Sequence, residues 1–385
     1  MTEDILNIEH YIWENVDNES RIGLYDGLAG TAFFYHRLLA VSNDKKHSER
    51  FVFILKKIDY LINNELQEST ICSGLCGYAW VLLKCKSNKI NIAKKYFKSI
   101  DTILLEELFV FSKQNNYDFM HGAMGIAFYL IESNNCNKKS IIAKALNKFI
   151  QDLSLKIQFD LKSVLEKSSV LFPEKHVFVG IAHGVAGFIN FLTYANQYFA
   201  ELSVDITDSL KILIDYLLNF KSNTYHSEQL YPNSVFVRTN EIKCAIFGWC
   251  QGDLGVANSL LNAATFFNDK SLKNEAVELL ENSKKITFAE SKIKDFGICH
   301  GSCGILIQYQ LASNKLNTSY DECIEKWYFH LVQQTKNFKE FLSHQGADLY
   351  LKDMNLLSGA TGLALVLLTC ESDSNLDWLN AFNLH

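Results

Sequence analysis

The sequence predicts an all-α fold of helical hairpins arranged in an inner and an outer layer, on three observations. A short glycine signature recurs seven times, an apolar run follows each copy, and amphipathic stretches separate the copies. In chain order the copies are Asp26-Gly-Leu-Ala-Gly30, Ser73-Gly-Leu-Cys-Gly77, His121-Gly-Ala-Met-Gly125 and His183-Gly-Val-Ala-Gly187. Then come Gln251-Gly-Asp-Leu-Gly255, His300-Gly-Ser-Cys-Gly304 and Ser358-Gly-Ala-Thr-Gly362. Successive first glycines stand 47 to 68 residues apart, a period that fits one helical hairpin per copy rather than unrelated domains. We therefore expect one domain over residues 1–385.

Each interval holds two helices. The runs Ile126-Ala-Phe-Tyr-Leu-Ile131, Phe188-Ile-Asn-Phe-Leu192 and Leu363-Ala-Leu-Val-Leu-Leu368 are apolar on most sides, as buried inner helices are. Between them, residues 90–108 place Ile90, Ala93, Phe97, Ile100, Leu104 and Leu108 at three- and four-residue spacing, with charges in the gaps. That is the pattern of a half-buried outer helix. Only Pro173 and Pro232 interrupt the chain, which suits long helices. The longer intervals, 126–180 and 193–246, hold the irregular pieces. Residues 221–246, with Tyr225, His226, Tyr231 and Phe236, read as an extended loop or short hairpin near the ends of the inner helices.

If the seven inner helices close into a ring, equivalent positions of each copy face one mouth. The residue before the first glycine is then Asp26, Ser73, His121, His183, Gln251, His300 or Ser358. All seven are polar although oily runs follow, as expected of side chains lining a wet cavity. One position earlier, Cys250 and Cys299 hold the same place in adjacent copies, so their sulfurs can converge beside His300. Two thiolates and an imidazole supply three zinc ligands and leave one position open, the catalytic rather than the structural arrangement. Cys72 holds that place too, but at least three steps around the ring, and is excluded from the same ion. Copies three and four bring Asp118, His121 and His183 to the same side of the mouth.

Composition removes other classes. A net charge of −6 without a basic stripe argues against nucleic acid. No apolar run nears the roughly 18 to 20 residues that cross a bilayer. The start, Met1-Thr-Glu-Asp-Ile-Leu, lacks the pattern of a secretion signal, so a cytoplasmic, monomeric protein with free thiols is expected among the ten cysteines. A glycosidase or prenyl-transfer reading lacks its carboxylate pair or aspartate-rich site at the turns, where Asp26 is the one acid.

These motifs resemble the lanthionine synthetase C-like family of peptide cyclases over nearly the whole chain. The resemblance rests on the seven glycine turns, Trp249-Cys-Gln-Gly252 and Cys299-His-Gly301. It implies a double-layered α/α toroid and a zinc ion on Cys250, Cys299 and His300. The family's catalytic histidine lies in an Ala-His-Gly turn, matched by Ala182-His183-Gly184, and its aspartate sits four residues before a motif glycine, matched by Asp118. Where many members carry tyrosine after the first zinc cysteine and arginine four residues before it, this chain has Gln251 and Ile246. Little room is left for the small additional β domain of some members.

The implied chemistry is Michael addition of a peptide cysteine to dehydroalanine or dehydrobutyrine. The partners would be a dehydrated precursor peptide, a separate lantibiotic-type dehydratase and an exporter. A free thiol ionises near pH 8.5, so little thiolate exists at neutrality without a metal. His183 is the expected acid–base group and Asp118 orients it, with N-capping as the aspartate's alternative role. Gln251 can donate to the enolate oxygen. His121 and Trp249 are the expected substrate contacts, with core packing as the alternative for the tryptophan. A zinc scaffold that binds peptide without turnover is the competing function, motivated by Gln251 and Ile246.

Overall fold

The computed structural model describes residues 2–85, 94–134, 140–168, 174–222, 228–337, 342–344, 349–372 and 375–385. Ile90, Ala93, Pro173, Tyr225 and His226 lie outside them. Along the chain, α1 (Glu3–Asn15) begins the outer layer, α2 (Leu28–Leu38) is the first inner helix and α3 (Lys45–Asn64) returns outside. The alternation continues through α4 (Leu75–Cys85), α5 (Lys94–Lys113), α6 (Ala123–Asn134) and α7 (Ile141–Phe159), followed by a short α8 (Leu161–Leu165). It resumes with α9 (Val185–Asn196), α10 (Ser203–Leu218), α11 (Asp253–Phe267) and α12 (Lys270–Ser283), and a one-turn α13 (Phe288–Ser291). Inner α14 (Ser302–Leu316), outer α15 (Asp321–Asn337) and inner α16 (Ala360–Glu371) complete it.

The inner helices α2, α4, α6, α9, α11, α14 and α16 touch in that order, and α16 packs back on α2. The ring is closed: the expected double-layered α/α toroid. Burial separates the layers as the periodicity requires. Inner α9 buries every residue from Val185 to Ala195, whereas outer α3 buries only His47, Phe51, Ile54, Ile58 and Leu61 of its 20 residues. In α5, Ile100, Leu104 and Leu108 are buried as their spacing predicts. Truncating a fully enclosed inner residue such as Leu260 to alanine would cost about 2–5 kcal/mol.

A second, backbone ring runs through the turns that feed the inner helices. The residue two before each first glycine donates its N–H to the carbonyl of its equivalent in the next turn. The links are Tyr25 to Cys72 (3.0 Å), Cys72 to Met120 (3.2 Å), Ala182 to Cys250 (3.4 Å), Cys250 to Cys299 (3.0 Å), Cys299 to Leu357 (3.1 Å) and Leu357 to Tyr25 (2.9 Å). Glycine makes such close approach possible. A Cβ at Gly180 would lie 2.2 Å from the Cys250 carbonyl oxygen, and one at Gly248 would lie 2.8 Å from His300 Cα. The Met120 N–H departs from the pattern: it donates to the Asp118 carboxylate at 2.8 Å.

Beneath the turns, a 3₁₀ segment (Asp377–Phe382) packs inside the ring. Phe382 stacks on Tyr25, with ring centroids 4.8 Å apart, and meets Trp249 edge-on at 5.2 Å. These rings form an aromatic floor under the turns.

Short strands depart from the purely helical expectation. β1 (Glu166–Lys167), β2 (His176–Phe178), β3 (Ser234–Phe236) and β4 (Ile242–Lys243) form an antiparallel sheet in that order. β5 (Leu342–His344) pairs with β6 (Tyr350–Lys352), His344 opposite Tyr350. The hairpin reading of 221–246 holds for β3 and β4. Their partner strands were not anticipated, because two or three residues are too few to display a period of two.

Candidate metal centre and proton-transfer site

All seven residues preceding the first glycines are at least partly exposed, while nearly everything around them is buried. His121 is the most open of them; Asp26, Ser73, His183, Gln251, His300 and Ser358 are half-buried. The polar mouth expected from the sequence exists.

On one side of it, the turns before α11 and α14 bring Cys250, Cys299 and His300 together. One ligand atom from each lies within 4.8 Å of the others. The Cys250–Cys299 backbone hydrogen bond and the missing Cβ of Gly248 hold the two turns in contact. A hydrogen bond from Cys299, together with His300, keeps the Cys250 thiol well below its ordinary range, while the shared proton pushes Cys299 well above it. Burial opposes charge on His300, yet its hydrogen bond to Cys250 and that group's charge lift it to about 9. Two sulfurs and one imidazole at this separation suit zinc, and their partial exposure leaves access for a further ligand. Cys72 is buried, outside this group.

Gln251 follows the first cysteine. Its Oε1 accepts from the Ile246 backbone N–H at 3.2 Å, which turns its Nε2 towards Cys250 Sγ at 3.8 Å. The two departures from the usual family pattern are thus neighbours in space.

On the adjoining side, the Asp118 carboxylate divides its oxygens. Oδ1 accepts from the backbone of Met120 (2.8 Å) and His121 (2.9 Å), capping the turn. Oδ2 accepts from His183 Nδ1 (2.8 Å) and from Lys167 Nζ (2.8 Å). Capping and orienting, alternatives in the sequence, are both present. Burial alone would raise the Asp118 pKa, but the Lys167 and His183 charges hold it well below the ordinary carboxylate range. Burial likewise opposes an imidazolium at His183, and the Asp118 carboxylate overcomes it, so this histidine titrates above its ordinary value. The His121 ring lies parallel to His183, with centroids 5.8 Å apart, and although its outer edge is open, crowding by the surrounding protein together with the His183 and Lys167 charges lowers its pKa. Two histidines in contact are therefore biased in opposite directions, which separates a proton carrier from a neutral neighbour.

The amide of Ala182 donates to the Cys250 carbonyl, which sets His183 next to the metal group. A cleft of about 820 Å³ opens beside Asp118 and His121 and is lined by Glu166, Lys167 and Lys175. The Nδ1–H of His183 is committed to Asp118, which leaves Nε2 to exchange a proton.

The structure corrects one expected contact. Trp249 is fully buried, and its indole N–H donates to the Phe382 carbonyl at 3.0 Å. It belongs to the aromatic floor, because the next-but-one position of this turn faces inward when Gln251 faces the mouth. Conversely, Lys167 was not anticipated: it comes from β1, outside every glycine copy. Asp118 did have a further signal. It stands two residues before its backbone-ring position, where Gly23, Gly180, Gly248 and Gly297 stand in four other copies.

Three comparisons bear on this arrangement. The family model described as lanthionine synthetase C-like protein matches residues 19–383. The nisin biosynthesis protein NisC of Lactococcus lactis subsp. lactis is 23% identical, over 94% of this chain and 88% of that protein. The structure of a nisin cyclase superposes with a TM-score of 0.75 at 19% identity, covering 98% of this chain and 96% of that one.

Proposed function

The chain belongs to the lanthionine synthetase C-like family, and from that premise we propose that it is a zinc-dependent lanthipeptide cyclase. As an enzyme it forms C–S bonds, the activity of a lanthionine synthetase. In the proposed reaction a cysteine thiol of a dehydrated precursor peptide adds to a dehydroalanine or dehydrobutyrine of the same peptide. The sulfur bonds to Cβ, the double-bond electrons pass to an enolate, and a proton returns to Cα. Peptide mass is unchanged and one free thiol is lost per ring.

The observation that carries this reading is the placement of the His183–Asp118 pair on the turn hydrogen-bonded to that of Cys250. Cys250, Cys299 and His300 would hold zinc, which when bound would deprotonate and retain the incoming thiol at neutral pH. His183 Nε2 would then move the proton required at Cα, with Asp118 fixing the tautomer and favouring the imidazolium. Lys167 would keep Asp118 ionised while drawing part of its charge from His183. The Gln251 amide would offer a hydrogen bond on the metal side, to Cys250 or to the enolate oxygen. His121 would contact the peptide in the cleft. The toroid, residues 1–385, would act as one cytoplasmic cyclase domain on a peptide supplied by a separate dehydratase and passed on to an exporter. Among the described residues no helix is long and apolar enough to cross a membrane.

The test is incubation of the protein with its dehydrated peptide, followed by thiol alkylation and mass spectrometry. Loss of alkylatable thiols at constant mass, with about one zinc per chain, is expected. Zinc with tight peptide binding but no thiol consumption would instead support a non-catalytic scaffold. The intact His183–Asp118 pair favours turnover.

A further inference from the structure

At the face opposite the mouth the charges do not balance. Inner helices α11 and α14 end there, and outer helix α12 begins there. Between those ends lies a cavity of about 270 Å³ lined by Lys270, Lys273 and Lys315. One acid, Asp269, shares the lining, but its carboxylate caps α12: Oδ1 accepts from the Ser271 N–H at 2.7 Å and from the Leu272 N–H at 3.3 Å. Among the described residues, none of the three lysines forms an ion pair.

Lys270 and Lys273 are exposed, whereas Lys315 is half-buried and held in place. Its Nζ donates to Asn262 Oδ1 at 2.7 Å, Asn262 Nδ2 donates to Asn190 Oδ1 at 2.8 Å, and Asn190 Nδ2 donates to the Asn383 carbonyl at 2.7 Å. This relay crosses α14, α11 and α9, and it leaves two of the three ammonium donors for another acceptor. Crowding by the surrounding protein pushes the Lys315 amine down to about 7, with no acid beside it to oppose the shift. The His385 ring adds no compensating charge. It contacts Thr193 at 3.2 Å and Asn262 at 3.4 Å, and burial with the Lys315 charge keeps it neutral, its pKa pushed down to about 3.

A lysine in the last turn of a helix ordinarily complements the carbonyl end, and Lys315 fits that description. Lys270 and Lys273 do not: they occupy the first turn of α12, where positive charge is disfavoured. An anion between the three lysines would account for both. We propose that this cavity is a binding site separate from the metal centre, and that its ligand carries a phosphate-type oxyanion. Such an ion can accept from several ammonium groups at once, and these charge-assisted hydrogen bonds are the strong ones. A second cavity, of about 740 Å³, adjoins the first, with Thr265 and Lys315 lining both. Its further walls carry the amides of Asn196, Gln197 and Asn262 and the ring of Phe266. That lining suits the uncharged remainder of a phosphorylated small molecule whose phosphate lies among the lysines.

The full-length protein should bind inorganic phosphate saturably at constant ionic strength, read by isothermal titration calorimetry. Lys315→Met should weaken that binding about 10–100-fold. Lys273→Met, whose ammonium is exposed, should weaken it about two- to fivefold. Lys45→Met, on outer helix α3 where the lysine pairs with Glu49, should bind as wild type. Adenosine monophosphate in place of phosphate separates the two sources of the oxyanion. Tighter binding than phosphate, with no binding of adenosine, assigns a phosphorylated small molecule; equal or weaker binding assigns the free ion. If Lys315→Met does not fold, the double variant Lys270→Glu/Lys273→Glu leaves the Lys315 relay intact and should abolish phosphate binding. No saturable binding of either probe, wild-type affinity in Lys315→Met, or an equal loss in Lys45→Met overturns the site. None of these readouts depends on zinc or on ring formation, so the site and the cyclase reading stand or fall separately.

Discussion

The two sides of the mouth are built in different ways from the same repeat. Before α11 and α14 the turns are joined by the Cys250–Cys299 backbone hydrogen bond, with glycine where they touch. Equivalent positions then yield equivalent side chains, and the two cysteines converge because the repeat makes them converge. Before α6 and α9 the expected backbone link is replaced. Asp118 occupies the glycine-type position, its carboxylate takes the Met120 N–H, and the remaining oxygen is free to bind His183 and Lys167. The metal side follows the symmetry of the ring, and the proton-transfer side breaks it. A symmetric junction suits two like ligands on one ion, whereas an acid–base pair needs unlike neighbours.

If the sides are separable in this way, substitutions should divide accordingly. The largest effect is expected from Cys250→Ala, which should lose both stoichiometric zinc and detectable ring formation, read by metal analysis and by the alkylation assay. His183→Ala should slow ring formation about 10²–10⁴-fold while zinc content stays at wild type. Loss of zinc in that variant would break the comparison, since the two sides would then be one unit.

Smaller effects should appear in the pH profile. With His183 as the proton donor, activity requires the imidazolium and falls as pH rises through its raised pKa. Asp118→Asn removes the carboxylate that raises it, so the falling limb should move to lower pH, with a slower rate throughout. Lys167→Met removes a charge that opposes the imidazolium, and should move the same limb to higher pH by about one unit or less. Limbs that move together in one direction would refute the shared-carboxylate arrangement. Stability follows the same signs. The His183 contribution is fully present below its unfolded pKa and is lost as pH rises through the folded one. That of Asp118 is present above its unfolded pKa and is lost as pH falls. The pair should therefore contribute most to stability between those limits, a window visible as a broad maximum in melting temperature against pH that Asp118→Asn flattens.

Much of this was legible before any coordinate. Glycine spacing gave the number of hairpins, and the contrast between the runs after Gly187 and residues 97–108 assigned the layers. The polar series from Asp26 to Ser358 located the mouth. Trp249 shows the limit of that method: sequence proximity to Cys250 suggested the cleft, but adjacent residues of a tight turn point in different directions. Lys167 marks another. It enters from a strand of two residues lying 49 residues along the chain from the carboxylate it serves.

The sequence by itself determined the repeat, the two helical layers and the like placement of Cys250 and Cys299 beside His300, because these depend on local periodicity; closure of the ring, a condition in that reading, was decided by the packing of α16 on α2. Only the tertiary structure decided that Lys167 shares Asp118 with His183 and that Gln251 is turned by the Ile246 backbone. Those contacts join segments outside the repeat. Their geometry is set by how irregular connections settle against the ring, and no spacing rule encodes that.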